Sequence, residues 1–273
     1  GVHGTEEAPV RITGSSKAVL DGGKGKTTLQ LDNTHHVELS GFTILGGQRG
    51  LILSGSDHNE MDRLTVKNTL SEAVHFKESS SYNTIQSSHI KDAGRGSQKQ
   101  VGNGEGVYIG TDSKKWGSKG GQDSSDHNKV LNNYIEGTSS EAVDVKEGTK
   151  GTRIEGNVMV GDRIAGVNGA WSLVDLKGSH STVRDNTFLN PDGNSKVKNG
   201  WEVTRRPWEG SKTSGRTSGM HNVLEGNRYQ GIKGGGALQN QTGDGKGWQK
   251  TTSGAEKIGG KNSAEHISVA DWR

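Results

Sequence analysis

The sequence predicts an all-β chain wound as a single-stranded right-handed parallel β-helix of seven to eight coils. Three observations carry that expectation. Short apolar triplets recur along the chain at a shortest spacing of 22 to 23 residues, three to a repeat. One asparagine recurs at the same place in successive repeats. The hydrophobic fraction is only 27%, with 44 glycines and 3 prolines among 273 residues. That is thin for a globular core, but it suits a narrow solenoid in which only alternate strand residues point inward.

The repeats can be read in order. Leu29-Gln30-Leu31 is followed by Val37-Glu38-Leu39 and Phe42-Thr43-Ile44. Leu51-Ile52-Leu53 leads to Leu64-Thr65-Val66, and Val74-His75-Phe76 to Ile85 and His89-Ile90. Val107-Tyr108-Ile109, Val143-Asp144-Val145, Val174-Asp175-Leu176 and Trp201-Glu202-Val203 open four further units. The centres of these first strands form a column: Gln30, Ile52, His75, Tyr108, Asp144, Asp175, Glu202. Ser88, Asn133, Asn157, Asn186 and Asn227 stand just before the third strand of their units, the pattern of an asparagine ladder. His58-Asn59, Tyr82-Asn83, His127-Asn128, His180-Ser181 and His221-Asn222 share one turn. Repetition at a turn marks these histidines as a structural stack rather than catalysts. Gly234 to Gln239 begins an eighth coil. Residues 1–240 are thus expected to form the β-helix domain and residues 241–273, rich in Gly, Lys and Ser, an irregular cap of the same domain.

Loop lengths locate a groove. The first-strand column lies 11 to 13 residues before the asparagine ladder in most units, but 25 residues before it after Tyr108 and again after Glu202. The return from the ladder takes 11 residues after Asn133, against 20, 18 and 16 after Ser88, Asn157 and Asn186. All five insertions flank the first strand, and long loops on a rigid scaffold are where function concentrates. The first sheet between Tyr108 and Glu202 is therefore the floor of a walled groove. Trp116, Trp171 and Trp208 stand in or beside the walls as candidate platforms for sugar rings, whereas the register turns Trp201 inward.

The floor is charged. One column reads Glu72, Glu105, Glu141, Ser172; a second holds Asp144, Asp175 and Glu202 above His75 and Tyr108; a third holds Lys77, Lys146 and Lys177. Carboxylates one coil apart repel one another unless their pKa values rise, lysines interleave, or a cation binds. The residues leave these remedies open. A lysine-neutralised ladder needs no ligand. A cation site would use Glu105, Glu141, Asp144 and Asp175 as oxygen ligands of the kind Ca²⁺ prefers. Clustered His or Cys of the Zn²⁺ kind are missing from the floor, and the chain has no cysteine at all. Formal net charge is +3, and the acid-rich floor would repel phosphates, so nucleic acid is not an expected partner. No apolar run reaches membrane-spanning length.

These features resemble the pectate-lyase-like superfamily of right-handed parallel β-helices. Within it, the spacing Glu-x-x-x-x-Lys from Glu141 to Lys146 is similar to the motif of alginate lyases of the chondroitinase B type. There the glutamate binds Ca²⁺ and the lysine is the Brønsted base. The family's Asn-Lys-Ser context reads Asp144-Val145-Lys146-Glu147 here, and the next coil carries Asp175 and Lys177 where the family has an arginine. The resemblance implies a secreted polysaccharide lyase, Ca²⁺-assisted and monomeric, acting on a uronate-containing polysaccharide. Lys146 is the expected base, with Lys177 second and Arg205 also in the catalytic group. Arg163, Arg206, Trp171, Trp208, Tyr108 and Glu202 are expected to bind substrate. Whether Lys146 is neutral depends on a balance the sequence leaves open: nearby cations lower its pKa, while Asp144 and Glu147 raise it. Two other readings stand beside the lyase. One is a glycoside hydrolase using Asp144, Asp175 and Glu202 as acid and base; the other is a β-helix that binds glycans without cleaving them.

Overall fold

The computed structural model describes residues 1–118, 121–205, 218–232 and 234–240. The coil is a parallel β-helix of three sheets with eight strands each, all paired in parallel. Each sheet is built from every third strand of the chain, so consecutive strands belong to different faces. The first sheet runs through Thr27–Asp32, Arg49–Ser54, Val74–Lys77, Val107–Ile109, Val143–Val145, Ser172–Leu176, Asn199–Arg205 and Gly234–Asn240.

Alternation sets the core. Leu51, Val74, Val107, Val143, Val174 and Trp201 stack one above another and point inward, as do Leu53, Phe76, Ile109, Val145, Leu176 and Val203. Each also touches inward residues of the other two sheets, such as Met61, Ile85 and Phe188. The last strand, Gly234–Asn240, pairs with Asn199–Arg205, so the expected eighth coil is present. The coil begins within the expected bounds, ahead of the first repeat read at Leu29. Val10–Thr13 and Val19–Asp21 are its first strands, and Ile12, Val19 and Leu20 are exposed at this edge of their sheets.

The turns repeat their hydrogen bonds. Ser88 N–H donates to Asn133 Oδ1 at 3.0 Å, Asn133 N–H to Asn157 Oδ1 at 2.9 Å, Asn157 N–H to Asn186 Oδ1 at 2.9 Å and Asn186 N–H to Asn227 Oδ1 at 3.0 Å. Each side-chain amide also donates to a main-chain carbonyl of the adjacent coil, as Asn157 Nδ2 does to Val130 O at 2.8 Å. A second ladder, not read from the sequence, runs through Asn59, Asn83 and Asn128 at another turn. The residue just before each of these asparagines is His58, Tyr82 or His127. These rings stack with centroids 4.9 Å apart, and His180 stacks on His221 at 4.8 Å, so the column is structural as expected. His36, His58, Tyr82, His127, His180 and His221 all take a left-handed backbone, with φ between +51° and +58°. Left-handed residues at the same turn send successive rings the same way, and stacking offsets part of the backbone cost.

Candidate active site on the first sheet

Register places the charged columns as expected. Tyr108 lies between His75 and Asp144, Asp144 beside Asp175, and Asp175 beside Glu202. Three residues before each of these centres, the same stacking aligns Glu72, Glu105, Glu141 and Ser172. Over them lies a cleft of about 390 Å³. Its floor is Glu105, Tyr108, Glu141, Asp144, Lys146, Asp175 and Lys177. Three insertions supply its walls: Asn103 from the first, Lys114 and Lys115 from the second, and Asn168 from the third. These insertions bury the floor. Asp144 is 2% exposed and Lys146 9%, where the sequence suggested solvent-facing groups.

Burial makes charge compensation compulsory. Lys146 Nζ donates to Asp144 Oδ2 at 2.7 Å, and Lys177 Nζ donates to Asp144 Oδ1 at 3.0 Å and also to Asp175 Oδ2. Thr204 Oγ lies 3.4 Å from both Asp175 Oδ1 and Glu202 Oε1. Burial pushes Asp144 up, but Lys146 and then Lys177 outweigh it and hold the group below the usual carboxylate range. Burial pushes Lys146 down, but Asp144 and then Asp175 outweigh it, so Lys146 keeps its proton above the ordinary lysine range. The balance left open by the sequence therefore falls to the carboxylates. Lys177 follows the same logic, with Asp144 the stronger partner.

The glutamate column uses another remedy. Burial, then Asp144 and Asp175, raise Glu141 to about 7. Burial, then Glu141 and Asp144, hold Glu105 well above its ordinary range. Glu141 accepts a hydrogen bond from Ser140 Oγ, whereas Glu105 Oε2 is buried with no hydrogen-bond partner. Two of the three remedies for stacked carboxylates thus operate side by side: lysines serve the aspartates, and proton retention serves the glutamates.

Tyr108 stands where the columns meet. Lys146 Nζ lies 5.0 Å from the centroid of its ring, and His75 meets the ring edge-on at 4.5 Å. Burial first, then Asp144 and Glu105, raise the phenol well above its ordinary value. Beneath it, His75 Nε2 donates to Gly110 O at 2.9 Å, and burial holds its pKa below the ordinary value.

Other candidates fall elsewhere. Arg163 does not line this cleft. It lies in a separate hollow with His89, Lys91, Asp92, Glu136 and Asp162, its Nη1 3.8 Å from Asp92 Oδ1. Trp116 is 7% exposed and donates from Nε1 to Thr111 O at 2.8 Å, so it braces a wall and is no sugar platform. Trp171 is 39% exposed, with Lys198 Nζ 3.8 Å over its ring. Trp201 is core, as expected. Glu202 is buried beside Thr204 and is not among the residues lining the cleft. Arg206 and Trp208 lie outside the described residues, as does the side chain of Arg205, which ends its strand.

Among the described residues one group of side chains could hold a metal ion. Oxygens of Glu105, Glu141 and Asp144 lie within 4.8 Å of one another. Asp175, expected as a fourth ligand, is not part of it and is held by Lys177 instead.

A family model described as "Periplasmic copper-binding protein (NosD)" matches residues 10–234. The chain belongs to the NosD family. The NosD fold is the one seen here: among solved structures, an alginate lyase from Paenibacillus sp. str. FPU-7 is 27% identical, with a TM-score of 0.74, covering 96% of this chain and 86% of that one. A PL6 family alginate lyase, AlyGC, aligns at 16% identity and a TM-score of 0.51, covering 87% of this chain and 35% of that one. A glycoside hydrolase aligns at 10% identity and a TM-score of 0.57, covering 86% and 38%. The last two share the fold. No curated protein matches the sequence.

The copper in the family's description does not fit the residues grouped here. The one ligand group is all oxygen, the chain has no cysteine, and Met61 and Met159 are core. The stacked histidines hold their rings nearly parallel, so their in-plane lone pairs do not converge on one point. A hard divalent cation fits the donor set better, because the lone oxygen of Glu105 has no other partner. No helix among the described residues is long and apolar enough to cross a membrane.

Proposed function

We propose that this chain is a polysaccharide lyase that cleaves a uronate-containing polysaccharide by β-elimination in the first-sheet cleft. The observation that carries the reading is the meeting of Lys146 and Tyr108, at 5.0 Å, beside two buried glutamates whose carboxyl groups burial pushes above their ordinary range. β-Elimination needs these groups together. The C5 proton of a uronate is weakly acidic, and its removal loads charge onto the neighbouring carboxylate. Donors already aimed at that carboxylate stabilise the enolate-like state. Glu105 and Glu141 in their acid forms are such donors.

Lys146 accepts the C5 proton, and the C–H electrons form the C4–C5 double bond as the C4–O4 bond breaks. Tyr108 retains its phenolic proton at neutral pH and delivers it to the departing O4. At rest Asp144 holds Lys146 as ammonium, so Lys146 must first part from Asp144 and give its proton to solvent before the free amine can take the C5 proton. A divalent cation on Glu105, Glu141 and Asp144 would supply Lewis-acid neutralisation of the substrate carboxylate and compete with the lysines for Asp144. Lys177 stays with Asp175 and balances the aspartate charge. The similarity to an alginate lyase over nearly the whole chain supports the reaction class and an extracellular or periplasmic setting.

The hydrolase reading asks one of Asp144, Asp175 and Glu202 to donate a proton to a glycosidic oxygen, with Asp144 at the centre of the cleft floor. Lys146 and Lys177 hold Asp144 as an anion, which leaves it a poor general acid. The test is a panel of acidic polysaccharides, followed by the absorbance of the unsaturated uronate, with and without a chelator. Wild-type protein is expected to generate the absorbance and Lys146→Ala to lose it. Full activity in Lys146→Ala would remove Lys146 from the role of base.

A further inference from the structure

The described residues of one wall, 111–118 and 121–126, are fastened by two carboxylates that the chemistry does not use. Glu147 follows Lys146 directly and is fully buried. Its Oε1 accepts from Ser113 N–H at 3.0 Å and from Ser113 Oγ at 2.6 Å, at the first residue of the 3₁₀ helix Ser113–Ser118. Asp123 is 4% exposed and fastens the other end of the insertion. It accepts from Glu78 N–H at 2.9 Å, Ser79 N–H at 3.0 Å and Thr111 Oγ at 2.7 Å. Between these anchors, Trp116 packs against Gly148. That glycine has φ +93°, and a Cβ there would come within 2.6 Å of the indole. The insertion is thus a fixed wall. Its cleft side presents Lys114 and Lys115, and Asp112 lies at the same edge, its Oδ1 accepting from Lys114 N–H at 3.0 Å.

We infer that Glu147 is a positioning residue that fixes this wall so that Lys114 and Lys115 receive the carboxylate of the sugar unit next to the one held at Lys146. The inference rests on the reading of the cleft as a uronate site and adds a second carboxylate subsite, which selects chains of consecutive uronates. Among the described residues, the two lysines of the cleft floor, Lys146 and Lys177, are already held by Asp144 and Asp175. The two wall lysines stand over the same cleft at its edge. Glu147 joins the two subsites through one peptide bond, since its neighbour Lys146 works at the first.

The test measures binding rather than turnover, so it stands apart from the lyase assignment. An alginate-derived tetrasaccharide is titrated calorimetrically into the full chain and into Lys114→Ala/Lys115→Ala, Glu147→Gln, Ser113→Ala and the combination of Glu147→Gln with the lysine pair. The lysine pair is expected to weaken binding about tenfold and flatten its dependence on salt. Glu147→Gln is expected to do the same, and the combination to add little, because both act through one wall. Ser113→Ala cuts the same contact from the other side and is expected to weaken binding by a smaller factor should Glu147→Gln fold poorly. Additive losses, or a Glu147→Gln protein that binds as tightly and with the same salt dependence as wild type, would overturn the inference. Tight binding by wild type without unsaturated product would instead overturn the lyase reading and leave the wall intact.

Discussion

Asp144→Asn removes one charge from the centre of the site and tests whether that charge holds the floor together. Asp144 is the one group bonded to both buried lysines, at 2.7 Å to Lys146 and 3.0 Å to Lys177. Asparagine keeps the shape and one acceptor oxygen but leaves two ammonium groups with Asp175 as their nearest anion. Removing one partner from a buried ion pair costs about 3–5 kcal/mol. For a chain of this size each kcal/mol moves the melting temperature by roughly 2–4 °C, so a fall of roughly 6–20 °C is expected near neutral pH. The pH dependence sharpens the test. In the wild type both lysines are raised above their unfolded value, so their stabilisation is fully present below about pH 10.5 and fades only as pH climbs through the folded values. Without Asp144, burial dominates, the folded values of Lys146 drop below the unfolded one, and stability should rise with pH toward 10. Glu141, Tyr108, Asp175 and Lys177 are the titratable neighbours that shape this curve. Differential scanning calorimetry of both proteins across pH 6 to 10 reads it directly. A variant that melts within about 2 °C of wild type, with no upward slope, would refute the claim that Asp144 carries the network.

The remaining predictions concern the scaffold and the glutamates. Asn157→Ala removes a buried amide that bonds Val130 O and Asn186 Oδ1 and receives Asn133 N–H; urea unfolding should show a loss of about 3–5 kcal/mol, since several buried groups lose partners at about 1–3 kcal/mol each. Glu141 has its folded pKa raised to about 7, so the folded state holds the extra proton and wild-type stability should fall as pH rises from about 4.5 to 7. Glu141→Gln should flatten that fall, as measured by melting temperature against pH. The same substitution should abolish any stabilisation that added Ca²⁺ gives the wild type, because it breaks the oxygen group with Glu105 and Asp144.

Much of this was legible in the sequence for one physical reason: a solenoid repeats its solution. Asn133, Asn157, Asn186 and Asn227 recur because each coil meets the same turn, and His58, Tyr82 and His127 recur because left-handed residues at one turn must stack. The column from His75 to Glu202 followed from the same register. The second asparagine ladder at Asn59, Asn83 and Asn128 was also in plain view, one residue after each stacked ring, and its aromatic neighbours drew attention from it. What periodicity does not encode is the path of the insertions. Sequence offered Arg163 to the substrate, but its loop turns toward Asp92, outside the cleft. It offered Trp116 to a sugar, but the 3₁₀ helix folds the indole onto Gly148. Nor could it say that the walls bury the floor. That burial decides the protonation of Lys146, Glu105 and Glu141, and Asp175 goes to a lysine instead of the oxygen group.

The central claim is that the cleft breaks a glycosidic bond by elimination, and the mass of the new chain end tests it most directly. Digests of acidic polysaccharides by the wild-type protein should yield fragments whose new non-reducing unit is one water lighter than a hydrolytic product, read by mass spectrometry. Fragments carrying that added water would contradict the account and return the aspartates to the centre of the chemistry.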